Sequence, residues 1–327
     1  MKGSDGVIRP ANDLGEASRA LFDEQLRDWR VLRDAVSGLD AVQRRTIALD
    51  GFSVRLEFNP ARLASSAAKV DSNSIRERRC FLCPDHLPAE QRSLAFNEHY
   101  LVLCNPFPIF PQHFTIPHRQ HLPQRIREVF CDLLDLARAL GPRYTVFYNG
   151  PRCGASAPDH LHFQAGDRGF MTFEGEYDRL KGEPIARAKH VTAYARTSLR
   201  PFVALESPDR DAAVAAFEVV FRNLLNIAPA PDEPMMNLIT WHEADPIGWR
   251  IILFPRLKHR PSAYFADGDA RILLSPGTVD IAGVCILPVE RDFHRLSSHD
   301  LEAAFREVML PREPFARLRD AIAAVVR

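Results

Sequence analysis

Residues 149–166, reading NGPRCGASAPDHLHFQAG, constrain the fold more than any other stretch of the chain. In extended backbone the side chains at i, i+2 and i+4 share a face, so His160, His162 and Gln164 are expected in one polar row while Leu161 and Phe163 turn into a core. Ahead of the row lies a loop, residues 150–156, whose glycines allow backbone N–H groups to approach an anion closely and whose Ser156 adds a hydroxyl. Imidazoles beside an anion cradle suggest phosphoryl chemistry. A neutral imidazole, with an unperturbed pKa of about 6.5, can attack an α-phosphorus and split one hard displacement into two easier ones. Gln164, Ser156 and the loop amides are placed to donate to the charge that develops.

The rest of the chain reads as a scaffold for this stretch. Apolar positions Leu14, Ala17, Leu21, Leu26, Trp29, Leu32 and Val36 recur at helical spacing and predict a docking helix over 12–36, with Asn12 or Asp13 as cap and Gly38 as stop. Phe52, Val54, Leu56 and Phe58 alternate with polar residues, as in a half-buried strand. Residues 65–79, with Lys69, Arg76, Arg78 and Arg79, read either as a solvated loop or as a basic loop reaching phosphate. Cys80-Phe-Leu-Cys83 offers half the ligands of a tetrahedral zinc site, with buried or redox thiols as the alternative.

Strands are expected over 100–104, 113–117 and 144–148, and an amphipathic helix over 126–140. Residues 166–189 read as a linker or lid. A second packed helix spans 212–225, followed by strands over 236–240, 249–254 and 279–287, with Trp241 and Trp249 in the core. Lys258, His259 and Arg260 form a basic cluster that either meets a second phosphate or is a solvated turn.

Composition excludes little but excludes it cleanly. Of 327 residues, 42 are Lys or Arg and 42 are Asp or Glu, which argues against a general nucleic-acid binder. Neither a leader peptide nor a membrane-length apolar run is read in the sequence, and six scattered cysteines do not suggest a disulfide framework, so a cytoplasmic protein is expected.

Taken together, Gly154-Ala-Ser156 followed by His160-x-His162-x-Gln164 resembles the signature of the histidine triad superfamily, in its nucleotidyltransferase and phosphorylase branch. Cys80-Phe-Leu-Cys83 is similar to the metal-binding pair of that branch's uridylyltransferases, and Asn237-Leu-Ile-Thr-Trp241 with Phe254-Pro-Arg256 is similar to the second half of its dinucleoside polyphosphate phosphorylases. Residues 275–283, with Ser275-Pro-Gly277, Asp280 and Gly283, resemble an uncharacterised family that also carries a CFLC segment.

The resemblance implies an α+β fold, a HIT-like antiparallel sheet with flanking helices in two related halves. It divides the chain into an N-terminal helical segment (1–50), a catalytic half (51–189) and a second α+β half (190–327). His162 would be the nucleophile and Gln164 its phosphate-contacting partner. Asn149, Gly154, Ala155, Ser156 and Lys258 would bind phosphate or nucleotide. Cys80, Cys83 and His160 would hold a structural zinc with His118 or, preferred, His121, and no organic cofactor is implied. The implied partners are a nucleotide or nucleotide sugar and inorganic phosphate or a sugar phosphate, in a monomer or homodimer without nucleic acid or membrane. Two other functions are a nucleotide hydrolase of the same superfamily, against which Gln164 in place of a third histidine speaks, and a zinc-stabilised nucleotide-binding protein without catalysis.

Overall fold

The structure is a computed structural model that describes residues 7–8, 13–63, 71–231 and 233–325. The alternative cap Asn12 and Lys69 of the basic run lie outside these residues. In chain order the strands are β1 (Val7–Ile8), β2 (Gln43–Leu49), β3 (Phe52–Phe58), β4 (Ser93–Phe96), β5 (Tyr100–Cys104), β6 (His113–Pro117), β7 (Tyr144–Asn149), β8 (His162–Asp167), β9 (Ala186–Ala188), β10 (Val191–Arg196), β11 (Phe202–Ser207), β12 (Met236–His242), β13 (Trp249–Pro255) and β14 (Val284–Leu287). The helices are α1 (Leu14–Asp28), α2 (Arg30–Gly38), α3 (Ser72–Glu77), α4 (Phe130–Leu140), α5 (Thr172–Leu180), α6 (Arg210–Ile227), α7 (Thr278–Ile281), α8 (Glu290–Arg295), α9 (Ser298–Val308) and α10 (Arg312–Val325).

Eleven strands form one sheet in the order β1-β4-β5-β6-β8-β7-β12-β13-β11-β10-β9, antiparallel except where β1 meets β4. The expected α+β architecture with flanking helices is therefore the observed one. At the middle of the sheet β7 pairs with β12, Asn149 opposite Asn237, so one continuous sheet runs from the His-Leu-His-Phe-Gln half into the second half. A smaller sheet, β14-β3-β2, joins β3 in parallel to a strand from the far end of the chain.

Strand periodicity sends alternate residues to opposite faces, and each face has its own core. On one face Tyr144, Val146, Tyr148, Phe163 and Ala165 pack under α1, α4 and α6. On the other, Phe147, Ile239, Trp241 and Phe254 meet α5, α9 and the small sheet. Where α4 crosses α6, the rings of Phe130 and Phe217 stack at 3.7 Å. Phe130→Ala is expected to cost about 3–5 kcal/mol, because both rings are buried and the void cannot be refilled, and urea unfolding measures this.

Several elements differ from expectation for identifiable reasons. The first predicted helix is two, α1 and α2, because Trp29 adopts extended backbone (φ −112°, ψ 103°) and its ring is buried; Asp13 caps α1 through Glu16 N. The amphipathic helix over 126–140 opens with a 3-10 turn before α4. Residues 166–189 are no lid: α5 buries Phe173, Tyr177 and Leu180. The strand expected over 279–287 splits into α7 and β14. The basic run contains α3, capped by the Asp71 carboxylate. Among the described residues no helix is long and apolar enough to cross a membrane.

Candidate active site

His162 and Gln164 occupy the β8 face opposite Phe163 and Ala165 and open into a cavity of about 500 Å³. Ile286 of β14 lines it together with Ser275, Gly277, Thr278, Val279 and Asp280. Asn149, Gly154, Ala155 and Ser156 line it too, so the motif loop and the strand it feeds converge on one space.

His162 is held from three directions. Its Nδ1 donates to the carbonyl of His160 (2.7 Å), its backbone N–H donates to Gln124 Oε1 (2.8 Å), and Gln124 Nε2 donates back to His162 O (3.0 Å). With Nδ1 protonated against a carbonyl, the lone pair lies on Nε2. Burial pushes the imidazole pKa down to about 4, so the ring is neutral at physiological pH. Neutral and fixed in one tautomer, it is suited to nucleophilic attack.

The loop before β8 owes its shape to contact with the second half of the chain. Gly154 has φ +97°, and a Cβ there would lie 2.6 Å from Gly277 Cα. Asn149 Oδ1 accepts from Thr278 N (2.8 Å), Thr278 Oγ1 (2.9 Å) and Asn237 Nδ2 (3.2 Å). Gly154→Ala is expected to cost about 1–3 kcal/mol through the left-handed backbone and the close backbone approach, measurable by thermal unfolding.

His160 departs from the expected row. β8 begins only at His162, and the His160 N–H donates to Ala157 O across a turn, which points its ring away from the cavity. There Cys80 Sγ lies 3.2 Å from His160 Nδ1 and Cys83 Sγ lies 3.2 Å from His121 Nδ1. The ligand atoms of Cys80, Cys83, His121 and His160 all fall within 4.8 Å of one another. The opposite nitrogens are engaged: His160 Nε2 donates to His118 O (2.7 Å), and His121 Nε2 faces Asp159 (3.5 Å). Two sulfurs and two Nδ1 atoms with second partners behind both rings fit a closed tetrahedral metal site. His118 is no part of it, since its Nδ1 accepts from Gln120 N and its ring stacks on His99.

Lys258 is the other departure: it pairs with Glu307 (3.3 Å) and does not line the cavity, whereas its neighbours His259 and Arg260 do. Arg260 donates from Nε to Ser275 Oγ (2.8 Å) and lies over the Tyr264 ring. The basic run contributes Arg78, which donates to the Ser156 carbonyl (3.0 Å) and pairs with Asp159 (3.1 Å), joining the loop to the Cys/His cluster.

Sequence reasoning missed Arg62, Asp280, His113 and the structural role of Arg256. Arg62 and Asp280 line the cavity from opposite ends of the chain; burial pushes the Asp280 carboxyl up to about 6 although Gly277 N and Ile286 N both donate to it. Arg256 is wholly buried and donates to the carbonyls of Pro276, Lys258, His259 and Val308 and to Asn237 Oδ1, fixing the second half's loops around the cavity. Asp280 was signalled by the Ser275-to-Gly283 pattern, and Arg256 by Phe254-Pro-Arg256; for Arg62 no local signal exists.

The same arrangement of strands and helices occurs in yeast Ap4A phosphorylase Apa2. Its structure superposes with a TM-score of 0.63 at 14% identity over 92% of this chain and 98% of that one. Its complex with AMP gives 0.61 at 15% over 92% and 97%, and its complex with Ap4A gives 0.59 at 15% over 92% and 98%. The chain therefore shares the fold of that phosphorylase, one large antiparallel sheet with flanking helices. At the family level, a model described as domain of unknown function DUF4922 matches residues 21–167, which contain both the Cys80–Cys83 pair and the His162 motif. None of the curated proteins matches the sequence.

Proposed function

We propose that the protein is a cytoplasmic nucleotidyltransferase or phosphorylase that acts on a dinucleoside polyphosphate or nucleotide sugar through a nucleotidyl-His162 intermediate. The observation that carries this reading is the neutral, Nδ1-anchored His162 at the wall of a nucleotide-sized cavity with Gln164 beside it on β8. Three guanidinium groups, Arg62, Arg78 and Arg260, line the same cavity, which favours a polyphosphate over an uncharged ligand. The binding of AMP and Ap4A by the structurally similar phosphorylase adds support.

In the first step His162 Nε2 attacks an α-phosphorus, the P–N bond forms, and the bond to the bridging oxygen breaks to release the remainder of the substrate. In the second, an oxygen of inorganic phosphate or a sugar phosphate attacks the same phosphorus and the P–N bond breaks, restoring neutral His162. Gln164, the amides of 154–156 and Ser156 donate to the non-bridging oxygens in both steps. Zinc held by Cys80, Cys83, His121 and His160 would supply structural order, since four protein ligands leave it no open position. The catalytic half (51–189) and the second half (190–327) both contribute to the cavity, with residues 1–50 as a docking segment.

Incubation with a panel of dinucleoside polyphosphates and nucleotide sugars tests this. An intact-mass increase of one nucleoside monophosphate, discharged by phosphate as a nucleoside diphosphate, is expected. Discharge by water alone at the same rate selects hydrolysis, and no adduct or turnover on any member rejects the reading.

A further inference from the structure

We propose that His113 is a positioning residue that locks the Gln164 side chain with its NH2 group toward the cavity, so that Gln164 meets bound phosphate only as a donor. The inference rests on the nucleotidyl-transfer reading for the identity of the anion, but its geometry stands independently.

His113 lies at the start of β6, buried between the rings of Phe110 (5.1 Å) and Phe147 (6.0 Å). A backbone N–H can only donate, and Ile109 N–H donates to His113 Nδ1 (3.2 Å). Nδ1 is therefore the bare nitrogen and the ring proton sits on Nε2. That nitrogen lies 3.0 Å from Gln164 Oε1. Since Nε2–H must find an acceptor, the amide oxygen of Gln164 faces His113 and the amide nitrogen faces away from it. Burial and the nearby Arg62 push the His113 pKa down to about 3, so the ring does not become a double donor at physiological pH.

The result is a one-way relay from Ile109 N–H through imidazole and amide into the cavity, in which each bond polarises the next. An isolated glutamine would present oxygen or nitrogen with similar ease, and an oxygen turned toward a phosphoryl group would repel it. Gly166 makes the arrangement possible: it stands opposite His113 on β8, and any Cβ there would collide with the Phe110 ring that packs against His113.

Two measurements test the proposal. In wild-type protein labelled with nitrogen-15, the imidazole shifts of His113 are expected to show protonated Nε2 and bare Nδ1 at pH 7; a protonated Nδ1 overturns the proposal whether or not the protein is an enzyme. In single-turnover adduct formation, His113→Phe keeps the ring packing and is expected to slow the step about 10- to 100-fold while KM changes by less than about 3-fold. In a Gln164→Ala background the same change is expected to add less than about 2-fold, because His113 acts through Gln164. Multiplying effects of the two substitutions overturn the proposal. Absence of an adduct in wild type instead rejects nucleotidyl transfer, and the imidazole shifts then decide the positioning role alone.

Discussion

His162→Ala is expected to abolish the nucleotidyl adduct and lower turnover by on the order of 10⁴-fold, with substrate binding retained. The expectation follows from how little else the side chain does. Among the described residues its side chain hydrogen-bonds only the carbonyl of His160, two residues earlier, while the backbone of His162 is fixed by Gln124 regardless of the side chain. The cavity and its guanidinium groups should therefore survive, and the loss should fall on the chemical step alone. Intact mass, single-turnover rates and nucleotide titration separate these effects. An adduct that still forms on the alanine variant would place the nucleophile elsewhere; Cys153 is an unpromising substitute, since burial pushes its thiol up to about 12.

Loss of the zinc proposed at the Cys80 cluster is the second large effect. Cys80→Ser, or chelation of wild type, is expected to reduce stability by roughly 3–6 kcal/mol, a fraction of the binding free energy of structural zinc sites. Adduct formation should fall as well, because the ligand His160 supplies the carbonyl that anchors His162 Nδ1. Arg78 extends the dependence, since Asp159 faces both His121 and Arg78. Elemental analysis alongside urea unfolding checks both parts. Metal-free protein of unchanged stability and rate would remove zinc from the account.

What could be read from the chain followed its local periodicities. The alternation through Phe163 and Ala165 placed His162 and Gln164 on one face, and the strands β5, β6, β7, β12 and β13 fell near their apolar runs. His160 escaped the same logic because extended pairing starts two residues later than the alternation, and the turn ahead of it turns its ring to Cys80. In α5 the spacing of Phe173, Tyr177 and Leu180 is helical, but glycines at 169, 175 and 182 mask it as a loop. Arg62 and Asp280 line one cavity because the segments that carry them flank the paired strands β3 and β14, and no window of sequence contains both.

That pairing also governs how the chain reaches its native state as it leaves the ribosome. Strand β3 can form its hairpin with β2 early, but its parallel partner β14 emerges only after the long intervening segment has been made, on the order of 10 s or more later at ordinary elongation rates. For that interval the nascent β3 has an unpaired edge, and the apolar side chains of Phe52, Val54 and Leu56 lack their cover. Truncated chains ending before β14 would thus expose an aggregation-prone strand and hold a pocket with one wall missing, which makes synthesis through β14 a precondition for both solubility and ligand binding.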